Sequence, residues 1–253
     1  MTVNNMYKKG IYKVVANTPL TREVYRMILE GDTQWIKRPG QFVNIELEGL
    51  YLRRPISICD WDDKTITIIY KVVGKGTEQM SQMQPGVELD VLTGLGNGFN
   101  PEPAVENTKS LLVGGGVGVP PLYHLAKVLL AAGRKVSVVL GFNTASEVFY
   151  ADEFKALGAD VYVSTADGSM GVKGFVTDAI REAAIDFDYF YSCGPLPMLK
   201  ALCGCTDKPG ELSFEERMGC GFGACMGCSC KTLTGNKRIC KEGPVMRREE
   251  IIW

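Results

Sequence analysis

Apolar residues recur in short, partly alternating runs through the first hundred positions, at 11–15, 24–29, 42–47, 56–59, 65–73 and 88–92. Turn formers such as Pro39-Gly40 and Pro85-Gly86 punctuate them. A period of two between turn signals predicts half-buried strands, and six of them in series predict an antiparallel sandwich or barrel. From Lys109 the rhythm changes. Residues 110–113 form a short apolar run, Gly114-Gly115-Gly116-Val117-Gly118 follows, and Leu122, Leu125, Ala126 and Leu129 then keep the i, i+3, i+4, i+7 spacing of a buried helical face. Gly133 ends that helix and residues 136–140 supply the next strand. Further strands at 160–163 and 189–192 alternate with helices near 152–157 and 175–184. Strand and helix in alternation predict a doubly wound parallel sheet. After Leu202 neither period persists, and Gly and Cys dominate residues 219–230. A segment of that kind predicts a small module organised by a bound group.

The expected architecture is therefore β plus α/β: an N-terminal antiparallel β-barrel over residues 1–101, a doubly wound parallel-sheet nucleotide domain over 102–210 and a small C-terminal module over 211–253. A length of 253 residues suits that division. Lys and Arg total 28 against 29 Asp and Glu, a net charge of −1 that gives no electrostatic case for nucleic acid or an anionic membrane as partner. Residues 1–10 lack the apolar core of a secretion signal. The longest uncharged stretch, 110–126, is broken by glycines and prolines and does not read as a membrane span. A cytoplasmic protein is expected.

Cysteine is the exception to this ordinary composition. Five of the nine, Cys220, Cys225, Cys228, Cys230 and Cys240, fall close together near the C-terminus. Without a secretion signal, such clustering favours a metal or redox site over disulfides. His124 is the only histidine, which disfavours His-dependent zinc sites and Ser-His-Asp triads.

Three groups of residues carry candidate chemistry. Cys220, Cys225, Cys228 and Cys240 follow the C-x4-C-x2-C…C spacing of plant-type [2Fe–2S] sites. Gly219, Gly221, Gly223 and Gly227 let a loop wrap closely and point backbone N–H groups at sulfur. A structural zinc held by the same four thiolates is the alternative, although zinc sites more often use two separated pairs. Cys230 fits no ligand position. The second group is Arg54-Pro55-Ile56-Ser57 at the head of a strand. A guanidinium there can pair with a diphosphate, and a serine hydroxyl can bond a flavin ring. Gly76 and Thr77 open a short helix nearby, with Thr77 as N-cap and first-turn N–H groups able to hold an anion. The third group is the glycine-rich turn of Gly114, Gly115, Gly116 and Gly118, which admits a pyrophosphate to a helix start; a packing role for the same turn is the alternative. Cys193-Gly194-Pro195 ends a later strand, where such sheets place their ligand crevice, so Cys193 either lines that crevice or is an inert buried residue.

Taken together these residues resemble the ferredoxin–NADP reductase superfamily, in which a flavin barrel precedes a nicotinamide-binding α/β domain. Arg54-Pro55-Ile56-Ser57 is similar to its flavin motif, with Ile56 in place of the usual Tyr. Gly114 to Gly118 and Cys193-Gly194-Pro195 are similar to its nicotinamide-site motifs. The resemblance further implies that Tyr70, Lys71 and Val72 lie along the flavin. With the cysteine loop and Arg238-Ile239-Cys240-Lys241-Glu242-Gly243-Pro244-Val245, the chain resembles one subgroup in particular, the electron-transfer subunits of type B dihydroorotate dehydrogenases. Met246 stands where that subgroup leads one to expect an aromatic residue.

That resemblance implies FAD in the barrel, NAD in the α/β domain and [2Fe–2S] on the four cysteines. It also implies a partner, an FMN-containing dihydroorotate dehydrogenase catalytic subunit, in a heterotetramer with two copies of each chain, working in pyrimidine biosynthesis. The chemistry agrees: NAD exchanges a hydride while a [2Fe–2S] cluster passes single electrons, so a flavin is needed between them. Sister subunits of the sulfhydrogenase or bifurcating ferredoxin–NADP reductase type are the enzyme alternative. A zinc-stabilised interaction protein that binds nucleotide without redox chemistry is the alternative of a different class. After residues 136–140, Gly141 to Thr144 offer no Arg or Lys for a 2′-phosphate, and no Asp or Glu for a ribose precedes Glu147. The preference for NAD comes from the resemblance.

Overall fold

All six alternating runs of the N-terminal part become strands in the computed structural model, which describes residues 7–105 and 107–253. They are β1 (Lys8–Pro19), β2 (Val24–Glu30), β3 (Phe42–Ile45), β4 (Arg54–Trp61), β5 (Thr65–Lys71) and β6 (Glu88–Leu95), closed into an antiparallel barrel of order β1-β2-β5-β4-β3-β6. Every second side chain turns inward: Ile66, Ile68 and Tyr70 of β5 meet Met27 and Leu29 of β2 and Val43 and Ile45 of β3 in one buried cluster. Each such side chain removed from water contributes roughly 1.5–3 kcal/mol, and closure leaves no unpaired sheet edge. The short helix α1 (Lys75–Ser81) lies between β5 and β6 in sequence and adds Met80 to that core. Residues 1–6, on which most of the leader reading falls, lie outside the described residues.

The second half is built on β7 (Lys109–Gly115), α2 (Pro121–Ala131), β8 (Lys135–Phe142), α3 (Ala151–Ala156), β9 (Asp160–Thr165), β10 (Val172–Lys173), α4 (Val176–Glu182), β11 (Tyr189–Cys193), α5 (Leu196–Cys205) and β12 (Gly210–Ser213). Later come the hairpin strands β13 (Ser229–Thr232) and β14 (Gly235–Arg238), then β15 (Val245–Arg247). The sheet runs β10-β9-β8-β7-β11-β12-β15, with parallel pairing from β10 through β12. Leu122, Leu125, Ala126 and Leu129 of α2 are fully buried, the helical face that their spacing predicts. Leu111 and Val113 pack with Val176 and Ala179 of α4 and Leu199 and Leu202 of α5.

Two compact units result: Met1–Gly98 with Glu215–Val245, and Phe99–Phe214 with Met246–Trp253. The C-terminal module expected over residues 211–253 is thus shared out. Residues 215–245 complete the barrel's unit, while β12 and the last residues belong with the parallel sheet. Sequence periodicity leaves α5, β10 and β12 to β15 unassigned. The strands are two to four residues long, shorter than a period can register, and α5 follows Pro195 and carries Pro197 and Gly204 within it. No helix among the described residues is long and apolar enough to cross a membrane.

Candidate functional site

In the parallel sheet, β7 and β11 lie side by side, with β8 and β9 beyond one and β12 beyond the other. This is the topological switch point, where strand C-termini open a crevice. The glycine-rich turn leaves β7 there, with Gly116 at φ +51°. A Cβ on Gly118 would lie 2.2 Å from the Cys193 carbonyl oxygen, and one on Gly115 would lie 3.1 Å from Pro195 Cδ. The turn and Cys193-Gly194-Pro195 therefore pack backbone to backbone, which only glycine at position 118 permits. Beyond them opens a cavity of about 400 Å³, whose walls include Gly115, Gly116, Glu147, Ser164, Pro195 and Met198. Cys193 is buried and is not among the lining residues; Pro195, two residues on, takes the wall position.

In the barrel, β3 pairs with β4 so that Ile45 faces Arg54, Asn44 faces Pro55, Val43 faces Ile56 and Phe42 faces Ser57. Arg54 reaches the start of α1: a Cβ on Gly76 would come within 2.2 Å of its Nε, so the bare glycine makes room for the guanidinium. The arrangement brings a fixed cation to the first turn of a helix, a pairing that fits a diphosphate. Thr77 is not the N-cap expected of it. Gly74 holds that position, and Thr77, three residues on, uses its hydroxyl to accept from the Val73 N–H at 2.9 Å and to donate to the Gly74 carbonyl at 3.1 Å. Closing the turn before the helix saturates that side chain, so its contribution to an anion site is its N–H alone. Tyr70 is buried in the barrel, where burial pushes its phenol well above the ordinary range and its hydroxyl donates to Asn17 Oδ1 at 2.9 Å. Lys71 pairs with Glu23 at 3.2 Å, and the Val72 N–H donates to the Glu23 carbonyl.

The four cysteines meet as two pairs. Cys228 and Cys240 are buried with their sulfurs 3.2 Å apart. Cys220 and Cys225 face each other through reciprocal backbone N–H···S contacts of 3.5 Å. Further N–H groups point at sulfur from Ala224 to Cys220 at 3.2 Å, from Gly227 to Cys225 at 3.5 Å and from Cys240 to Cys228 at 3.4 Å. Burial opposes ionisation of Cys220, yet the N–H groups of Cys225, Phe222 and Ala224 outweigh it and bring the thiol down to about 6. Burial against Cys228 pushes Cys240 up to about 12. Among the described residues no three His, Cys, Asp or Glu side chains stand together as a ready-made site for a metal ion. Two pairs of thiols ringed by N–H donors fit two irons that each take two thiolates. Cys230, half-buried on β13, stands outside both pairs.

Polar side chains of the same unit hold this loop. Asn44 of β3 donates to the Cys220 carbonyl at 3.4 Å, and a Cβ on Gly221 would lie 2.3 Å from its amide nitrogen. Asn97 donates to the carbonyls of Glu242 and Val245 and accepts the Val245 N–H. Arg238 bonds Glu242 through both its backbone N–H and its Nε at 2.9 Å, and its guanidinium holds the Glu242 carboxyl down to about 2. Neither Asn44 nor Asn97 is picked out by the sequence reading. The available signal is an amide set among apolar strand residues, Val43-Asn44-Ile45, or among turn glycines, Gly96-Asn97-Gly98.

A model of the iron–sulfur cluster binding domain of dihydroorotate dehydrogenase B matches residues 215–252, and one of the oxidoreductase NAD-binding domain matches residues 112–204. The dihydroorotate dehydrogenase B (NAD(+)) electron transfer subunit of Shouchella clausii is 45% identical over 256 residues, covering 97% of this chain and 98% of that one. This chain belongs to the family of dihydroorotate dehydrogenase B electron transfer subunits. The Geobacillus kaustophilus member is 47% identical over 94% of this chain and 96% of its own length. Among solved structures, a chain of the NADH-dependent reduced ferredoxin–NADP oxidoreductase superposes with a TM-score of 0.86 at 33% identity, covering 96% of this chain and 90% of that chain. A ferredoxin NADP+ reductase from Neisseria gonorrhoeae with bound FAD and NADP shares the fold, with a TM-score of 0.67 at 17% identity over 76% of this chain and 88% of that chain. Membership of the electron-transfer-subunit family, with an iron–sulfur domain over the cysteine loop, replaces the reading of a zinc-stabilised interaction protein.

Proposed function

We propose that this chain is the electron-transfer subunit of an NAD-dependent dihydroorotate dehydrogenase in pyrimidine biosynthesis. It receives electrons from an FMN-containing catalytic partner and delivers them through [2Fe–2S] and FAD to NAD+. The observation that carries the reading is the paired cysteine loop built into the barrel's own unit, with Asn44 touching both the loop and, across β3 and β4, the Arg54 motif. When bound, the flavin supplies the exchange between hydride pairs and single electrons.

The chain's residues bind and orient. Arg54 with the Gly76 and Thr77 backbone would hold the FAD diphosphate, and Ser57 is the hydroxyl for the flavin ring, with Tyr70 and Lys71 on the neighbouring strand and Val72 just past its end. Gly114 to Gly118 admit the dinucleotide pyrophosphate to the backbone, and Cys193-Gly194-Pro195 form the opposite lip. Cys220, Cys225, Cys228 and Cys240 hold the cluster, while the surrounding N–H groups stabilise charge on their sulfurs. Cys225 is exposed whereas Cys228 and Cys240 are buried, so a cluster held here would present its Cys220–Cys225 side to the partner. Closed symmetry favours a heterotetramer with two copies of each chain, and reduced thiols favour the cytoplasm.

Reconstitution tests the reading. The isolated chain, loaded with FAD and cluster, should oxidise NADH with artificial acceptors and leave dihydroorotate untouched. Adding the FMN subunit from the same source should create NAD-linked dihydroorotate oxidation. A stable complex with a hydrogenase-type subunit, and none with the FMN protein, would overturn it.

A further inference from the structure

The cavity beyond the glycine-rich turn holds two polar groups that binding a pyrophosphate leaves unused. Among the described residues Glu147 is the only charged one in its walls, and no Lys or Arg lines it. Glu147 follows β8 by a few residues, and both of its hydrogen bonds fall on one oxygen. Asn143 donates to Oε2 from its backbone N–H at 3.2 Å and from its side-chain amide at 3.0 Å. The second oxygen, Oε1, accepts nothing from the described residues. The other group is Ser164, at the end of β9. It is fully buried, lines the same cavity, and its hydroxyl has no hydrogen-bond partner among the described residues.

A carboxylate pinned through one oxygen offers the other without further loss of rotamer freedom. A buried hydroxyl without a partner is costly unless something completes it. In a doubly wound sheet, an acid just past the second strand is placed to accept from a ribose 2′-hydroxyl. A 2′-phosphate would bring further negative charge against Glu147 with no cation in the wall to offset it, so one residue supplies both the attraction and the repulsion on which specificity depends.

We propose that Glu147, braced by Asn143, selects the unphosphorylated dinucleotide through its ribose 2′-hydroxyl, and that Ser164 finds its missing partner on the same ligand. This rests on the reading of the cavity as the NAD site and names the residue that decides between NAD and NADP.

Calorimetric titration of the FAD- and cluster-loaded protein with ADP-ribose and with 2′-phospho-ADP-ribose tests it without turnover. The unaltered protein should prefer ADP-ribose by about tenfold or more, the worth of one charge-assisted bond. Glu147→Gln should bring the ratio close to one, chiefly by strengthening the phosphorylated ligand. Asn143→Ala, which unpins the carboxylate, should move the ratio part of the way, and Ser164→Ala should weaken both ligands alike. A preference that survives Glu147→Gln overturns the selection role alone. Failure of the unaltered protein to bind either ligand overturns the NAD reading and the selection role together.

Discussion

A methyl group on Gly221 would lie 2.3 Å from the Asn44 amide nitrogen, at a backbone φ of +79° that side chains rarely adopt. Gly221→Ala should therefore cost more than about 1 kcal/mol through the backbone alone and force Cys220 away from its partners. Iron content after purification should fall while the barrel still folds, as read by circular dichroism. The thiols themselves divide by pairing. Serine at Cys220, Cys225, Cys228 or Cys240 should bleach the cluster's visible absorption or stop the protein accumulating, and serine at Cys230 should leave the spectrum intact. Cluster loss in Cys230→Ser with retention in Cys240→Ser would show the assignment to be wrong. Arg54→Ala removes a charge-assisted contact of about 1.5–3 kcal/mol, a loss of roughly tenfold to hundredfold in FAD affinity. Flavin release on dilution and gel filtration measures it.

At the level of elements, Asp188 joins two neighbouring strands of the parallel sheet. Its carboxylate accepts from the Thr108 hydroxyl at 2.7 Å, the Thr108 N–H at 3.1 Å and the Lys109 N–H at 2.9 Å, tying the entry of β7 to that of β11. The Thr108 hydroxyl bond, with the N–H groups beside it, holds the carboxyl below its ordinary range. A depressed native pKa stabilises the fold fully above the unfolded value of about 4 and loses that contribution as pH falls through the lower native value. Asp188→Asn should therefore melt earlier than the unaltered protein at neutral pH, with the difference shrinking in acid. Thermal melts across that range read it directly. The barrel strands, the first βα unit and the set of cysteine ligands are legible in the sequence, because each is written in spacing: period two, the i, i+3, i+4, i+7 face, C-x4-C-x2-C…C; which thiol faces which is not. What escaped detection depends on contacts between distant segments. β12 and β15 exist because a sheet edge is there to receive them, Ser164 looks like any strand residue until β9 is aligned with β8, and Asn97 gains its role only when residues 242–245 return to it. Thr77 reads as the N-cap by residue type, and the structure places it three positions past that cap, where its hydroxyl accepts from the Val73 and Gly74 N–H groups.

At the scale of the molecule, the chain leaves the barrel's unit at Gly98, builds most of the parallel sheet and returns at Glu215 to complete the first unit. The exposed Cys225 and Met226 mark the face of the cysteine loop that a partner subunit should cover. Hydrogen exchange of the loop amides should slow on adding the FMN subunit, and the same amides should exchange at an unchanged rate in a mixture with an unrelated flavoprotein. The return of the chain also has a temporal side. During synthesis the barrel strands leave the ribosome first, but Asn44 and Asn97 wait for partners encoded after the whole nucleotide domain. Cluster assembly is thereby deferred until the ribosome has passed the nucleotide domain, so an iron-loaded subunit is one in which that domain has already been made.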